Sequence, residues 1–138
     1  MDTWNLQRFV DAQRPVWDQA LAELRAGRKH THWMWFVFPQ LEGLGNSAMA
    51  RRYALRGRDE ALAYLLHPLL GPRLEEATRA LFAHQEHSAH DILGSPDDLK
   101  LRSCLTLFTA LSPAGSLYQQ ALARFFPESP CEHTLTHL

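Results

Sequence analysis

Lysine is nearly missing from this chain: only Lys29 and Lys100 occur, so almost all of its positive charge is arginine. Positive and negative charges nearly cancel, leaving a formal net charge of −1. A surface of that balance has no broad electrostatic footprint for nucleic acid or an anionic membrane, although a local basic patch remains open. Cysteine is scarce too, with Cys104 and Cys131 alone, which rules out a disulfide framework and points to a cytosolic protein. The start of the chain has neither the basic residues nor the apolar stretch of a signal peptide. No apolar run approaches the roughly 20 residues that span a bilayer. A soluble chain is expected.

Internal repeats and Gly/Ser linkers are also lacking, so residues 1–138 read as one domain, long enough to bury a core without staples. Breakers such as Pro15, Gly27, Pro39, Gly57, Gly71-Pro72, Ser95-Pro96 and Pro113 to Gly115 cut the chain into pieces of helix length. Helical spacing of apolar residues predicts helices over Thr3–Gln13, Pro15–Ala26, Arg58–Leu66, Pro72 to about His87, Ser95 to about Leu111 and Ser116–Phe126. Short helices are expected where Thr31 or Ser47 could cap, over Thr31–Phe38 and Ala48–Leu55, with a turn over Ala89–Leu93 and a frayed tail at Thr134-Leu135. The six apolar residues Trp33–Phe38 could equally form a buried strand, and helix is preferred because no partner strand is evident. The fold class is therefore all-α, a compact multihelical domain of about seven helices.

What the chain has in plenty is concentrated in Lys29–Ser47. Two tryptophans, two phenylalanines, a methionine and a valine fill Trp33–Phe38, followed by Pro39-Gln40 and a Gly43-Leu44-Gly45 turn ending on Ser47. Aromatic side chains dominate core energetics, but a wall of them beside a glycine turn also lines ligand pockets. Trp33 and Trp35 could stack on a planar ring, and His32 could transfer a proton or donate to a phosphate. Gly43 and Gly45 allow close backbone approach to a ligand, and Ser47 can open a helix whose N–H groups accept an anion. A G-x-G-x-S pentapeptide is nonetheless weak evidence, and a plain turn explains it as well.

Asp98, Lys100 and Ser103 share one helix, where Lys100 and Ser103 fall on a common face beside an apolar one. Arg51, Arg52, Arg56 and Arg58 form a local basic run; arginine forks suit phosphate, although such runs more often mark a wet helix face. The His84–Asp91 tract lacks a recognised metal spacing and reads as a polar connection, so no metal or cofactor is expected. Glu42 and Glu60 are the nearby carboxylates.

Three blocks, HWMWFVFPQLEGLGNS, YALRGRDEALAYLLHPLLGPRL and DDLKLRSCLTLF, resemble domain-of-unknown-function family 1810, small bacterial proteins of which some are labelled calpastatin. The likeness spans nearly the whole chain and implies a multihelical domain without an established activity. It also implies that Trp33 and the polar positions His32, Gln40, Ser47, Glu60, Arg73, Asp98, Lys100 and Ser103 converge on one cleft. Cys104 stands where a small residue, often serine, is expected, which argues against a nucleophilic role. The chain is similar more loosely to helical domains that act on ADP-ribose-type N-glycosidic linkages. The leading expectation is a cleft for a phosphate-bearing or nucleotide-like ligand, with N-glycosidic hydrolysis as the class of any chemistry and His32 or Glu60 moving the proton. The other expectation is a non-enzymatic interaction module presenting Trp33–Phe38 as an exposed patch.

Overall fold

The computed structural model describes residues 2–128 and 130–138. Ten α-helices follow one another among these residues: α1 (Gln7–Gln13), α2 (Trp17–Ala26), α3 (Met34–Val37), α4 (Ala48–Arg52) and α5 (Arg58–Leu66), then α6 (Leu70–Phe82), α7 (Ala89–Leu93), α8 (Asp97–Ala110), α9 (Leu117–Phe125) and α10 (Glu132–Thr136). The expected all-α architecture is present. The larger count comes from single-turn pieces, above all α7, where a turn was expected, and α10, where a frayed tail was, which periodicity over a longer window does not resolve.

Local chemistry sets most of the boundaries. Gly27 ends α2 in the left-handed region at φ 79°, its N–H returning to the Glu23 and Leu24 carbonyls. Ser47 and Ser116 cap α4 and α9 by accepting from Ala50 N and Gln119 N. Ser88 and Asp91 form a capping box on α7. Gly71 sits where α6 turns under α5, so close to the Leu65 carbonyl that a Cβ has no room.

Four boundaries depart from the sequence expectation. Thr31 does not cap α3, because its hydroxyl and N–H both serve Glu23. α8 starts after Pro96, not from a Ser95 side-chain cap. α4 stops at Arg52, since Leu55 leaves the helix to form a parallel β-bridge with Leu41. The tail is a helical turn with Cys131 and Thr134 buried, not a fray.

The long helices assemble about α8, which packs on α9, α7, α10 and α5, while α6 packs on α5, α9 and α2. Phe9, Trp33, Phe38, Tyr64 and Phe108 are fully buried in one hydrophobic cluster. Phe9 meets Tyr64 edge-on at 5.0 Å, and Tyr64 meets Phe108 at 5.9 Å. Tyr64 is itself tethered, its hydroxyl accepting from Gln13 Nε2 at 3.2 Å, and burial pushes that hydroxyl's pKa far above its ordinary value. Among the described residues no helix is long and apolar enough to cross a membrane.

Candidate functional site

A buried glutamate organises the segment that matters most. Glu23, near the end of α2, is 3% exposed and accepts from His30 N, Thr31 N, Thr31 Oγ1, Gln19 Nε2 and the Trp33 indole N–H. Burial alone would raise its pKa, but the hydrogen bonds from Thr31, Gln19 and His30 outweigh it and hold the carboxyl far below the usual carboxylate range. The loop 28–33 is thus wrapped around one charge. Trp33 is pinned by its nitrogen and the aromatic run is sent inward, with Met34, Phe36, Val37 and Phe38 all buried.

Beyond Phe38 the chain runs beside residues 54–56. Leu55 N donates to Gln40 O and Glu42 N to Leu55 O, each at 2.9 Å. This pairing places Gln40 and Glu42 alongside Ala54 and Arg56. The turn at Gly43, in the left-handed region at φ 90°, then leads into α4 and Arg51. The result is a cleft of about 240 Å³ lined by Gln40, Glu42, Gly43, Gly45, Arg51 and Arg56, with Leu41, Ala50 and Ala54.

A second cleft, of about 350 Å³, adjoins it across a wall of Arg51, Ala54 and Arg56; its other lining is Thr3, Trp4, Asn5, Arg8 and Arg52. Arg8 is fixed there. It donates to Glu60 Oε2 at 2.9 Å and to the carbonyls of Trp4, Asn5, Arg52 and Ala54. Glu60, 1% exposed, also accepts from Arg56 N with its other oxygen. Arg51, Arg52 and Arg56 are exposed, and none of them pairs with a carboxylate among the described residues. On the other side of Gln40 and Ala50 lies a hollow of about 10 Å³ between Trp35, Phe38, Tyr53 and Lys100. Lys100 Nζ closes it, 5.2 Å from the Trp35 ring centre.

The start of α8 is bound to the aromatic segment through the chain's two lysines. Asp97 receives Lys29 Nζ at 2.9 Å and Lys100 Nζ at 3.3 Å, and Lys29 lies 5.1 Å from the Trp33 ring centre. The two segments therefore pack together as the sequence reading requires.

The sequence-predicted residues divide accordingly. Gln40, Gly43 and Gly45 line the first cleft, and Trp35, Gln40 and Lys100 line the hollow beside it. Ser47 is committed to its helix cap. Trp33 is wholly buried with no face free for a ligand, and Glu60 has both oxygens engaged below the surface. His32 is exposed and lines none of these three hollows. Arg73 is elsewhere, its guanidinium 5.0 Å from the Trp17 ring centre and 3.3 Å from Gln13 Oε1. Ser103 is buried between α8 and α10, 3.3 Å from Cys131 Sγ. Asp98 faces His90 at 3.6 Å. Of the stretch Trp33–Phe38, which the second expectation has partly exposed, Trp35 is the one residue that is more than marginally exposed.

Glu23 and Arg8 escaped the sequence reading because an acid or a base on an amphipathic helix normally signals a solvated face. The one available hint was the chain's return at Gly27, which brings residues 28–33 back over α2.

Comparison with other proteins agrees on the fold and is silent on activity. No curated protein matches the chain. A crystal structure of a conserved hypothetical protein from Mycobacterium tuberculosis superimposes with a TM-score of 0.95 at 48% identity, covering 98% of this chain and 96% of that one. The family described as "Protein of unknown function (DUF1810)" matches residues 3–138, nearly the entire length. The chain belongs to the DUF1810 family.

Proposed function

We propose that this protein binds a small phosphate-bearing, nucleotide-like ligand in the cleft between the Gly43–Gly45 turn and α4. The observation that carries the reading is the pair Arg51 and Arg56, exposed, without carboxylate partners among the described residues, and lining a concave surface beside a glycine turn. Elsewhere Arg8, Arg14, Arg25 and Arg79 meet acids, and Arg73 and Arg124 donate to Gln13 and to the His84 and His87 carbonyls; what sets Arg51 and Arg56 apart is that they share a concave lining. Guanidinium forks that are not ion-paired are suited to bidentate phosphate recognition, even with Glu42 in the same lining. The amide N–H groups of Gly43 and Gly45 donate to no other part of the described chain, leaving them free for an anion. A planar ring would enter next to Gln40, over Trp35, where Lys100 must swing aside to admit it.

Binding is better supported than turnover. Cleavage of an N-glycosidic bond requires a carboxylate or imidazole at the reacting atoms. Glu60 is held by Arg8 and the Arg56 N–H, and His32 lines neither the arginine clefts nor the Trp35 hollow, which leaves Glu42 as the one carboxylate in the cleft lining and the residue to substitute if a released base is found. A thermal-shift and calorimetric screen against nucleotides, including ADP-ribose and NAD, tests the reading. At least one should raise the melting temperature, with Arg51→Ala and Arg56→Ala abolishing the shift and Trp35→Ala weakening it. Chromatography of the same mixtures for a released base separates binding from hydrolysis. No response to any phosphate-bearing compound overturns the proposal.

A further inference from the structure

The two arginine-lined clefts are one composite site, and their shape bears on which phosphate compounds fit. We propose that the ligand carries two linked anionic groups, a diphosphate or longer oligophosphate, one seated in each cleft and both gripped by the shared wall of Arg51 and Arg56. This rests on the phosphate reading above and narrows it.

The clefts meet at Arg51, Ala54 and Arg56, which belong to both linings. A guanidinium in a dividing wall can donate to both sides, because its five N–H groups fan out in one plane. Each cleft also has donors of its own. The first has the Gly43–Gly45 turn and the Gln40 side chain; the second has Arg52 and the side chain of Asn5. At about 240 and 350 Å³, each has room for a phosphate with its hydration, and a single orthophosphate cannot occupy both.

The second cleft is rigid where it needs to be. Arg8 spends its donors on Glu60 and four backbone carbonyls, so it contributes positive charge and a fixed floor. Buried Glu60 neutralises part of that charge from below. Arg52 is left as the exposed donor on this side, its guanidinium 5.5 Å from the Tyr53 ring centre. The acid in these two linings is Glu42, exposed, part of the first cleft and absent from the second. A charge gradient follows, steepest at Arg51, Arg52 and Arg56, and a doubly anionic ligand would lie along it.

Calorimetry with orthophosphate, pyrophosphate and tripolyphosphate at one ionic strength tests the pairing. Pyrophosphate should bind about tenfold or more tightly than orthophosphate, the gain from one added set of charge-assisted hydrogen bonds. Arg52→Ala should erase that preference while leaving orthophosphate affinity within about twofold, and Arg51→Ala should weaken both ligands. Equal affinity for orthophosphate and pyrophosphate, or a preference that Arg52→Ala leaves intact, overturns the two-anion inference and leaves a one-anion cleft standing. Absence of binding by all three ions in protein whose melting curve is intact overturns the phosphate reading with it. Thermal melts of each variant guard against misfolding, and Arg52→Lys, which keeps the charge without the fork, should restore the preference in part.

Discussion

At the scale of single residues, Glu23 decides more than any other side chain. It is the acceptor for two backbone N–H groups, a hydroxyl, an amide and an indole, so removing it strands several buried donors at once. Glu23→Ala should cost about 3 kcal/mol of folding stability, read by urea denaturation with an unchanged slope. The pH dependence has a definite sign. The folded-state pKa lies below the unfolded one, so the contribution is complete above the ordinary glutamate value of about 4.3 and is lost as pH falls below it. Glu23→Gln should therefore flatten the acid side of the stability profile and hardly alter its shape near pH 7. The Cys104 thiol is quieter: burial pushes it well above its ordinary pKa, which accords with the sequence argument against a nucleophilic role.

At the scale of elements, the junction between α8 and the Lys29–Phe38 segment is an electrostatic hinge pin built from Asp97, Lys29 and Lys100. Lys29 and Asp97 are mostly shielded, with side-chain exposures of 8% and 17%. Their attraction is therefore less screened than that of a surface pair, while Lys100 at 22% is nearer the solvent. Asp97→Ala should lower stability by about 1–3 kcal/mol, since it leaves two ammonium groups facing each other without their counter-charge. Asp97→Asn should cost less. The readout is the urea midpoint together with Trp fluorescence, because Trp33 and Trp35 sit beneath the two lysines.

Elements were legible where a local rule controls them. The cap at Ser47, the stop at Gly27 and the apolar faces of α2, α6, α8 and α9 all follow from residues close in sequence. Thr31 misled because a distant carboxylate outcompeted its helix for the same hydroxyl. The Leu41–Leu55 bridge was invisible for a related reason: a one-residue pairing has no period to detect. The site was legible in part. Gln40, Gly43 and Gly45 were named as candidates on a turn and the arginine run read first as a wet helix face, and nothing in their spacing showed that Arg8 would lie beside them in the second cleft. Trp33 and Glu60 drew attention as polar or aromatic residues near that turn and proved to be interior supports.

At the scale of the whole molecule, a nearly neutral chain presents a surface that is locally far from neutral. Charge is balanced over the sequence, but the exposed arginines at positions 51, 52 and 56 lie within one short stretch. Phosphate ligands should consequently lose affinity steadily as sodium chloride is raised from about 50 to 500 mM, because exposed pairs are screened over the Debye length. Glu42→Gln, which removes the acid from the first cleft, should tighten binding by a few-fold in the same titration, and a loss of affinity would argue against that orientation.

The pairing of both lysines on Asp97 has a practical reach beyond stability. These are the only two side-chain amines in the sequence, and each is sheltered by a carboxylate and a tryptophan ring. Acylating reagents should find few targets while the chain is folded, so dye labelling or surface immobilisation through amines will be inefficient. Where it succeeds, it will loosen the join between α8 and the tryptophans. Enzymatic acetylation of either residue would have the same outcome, turning a silent neutralisation of charge into a change in indole emission.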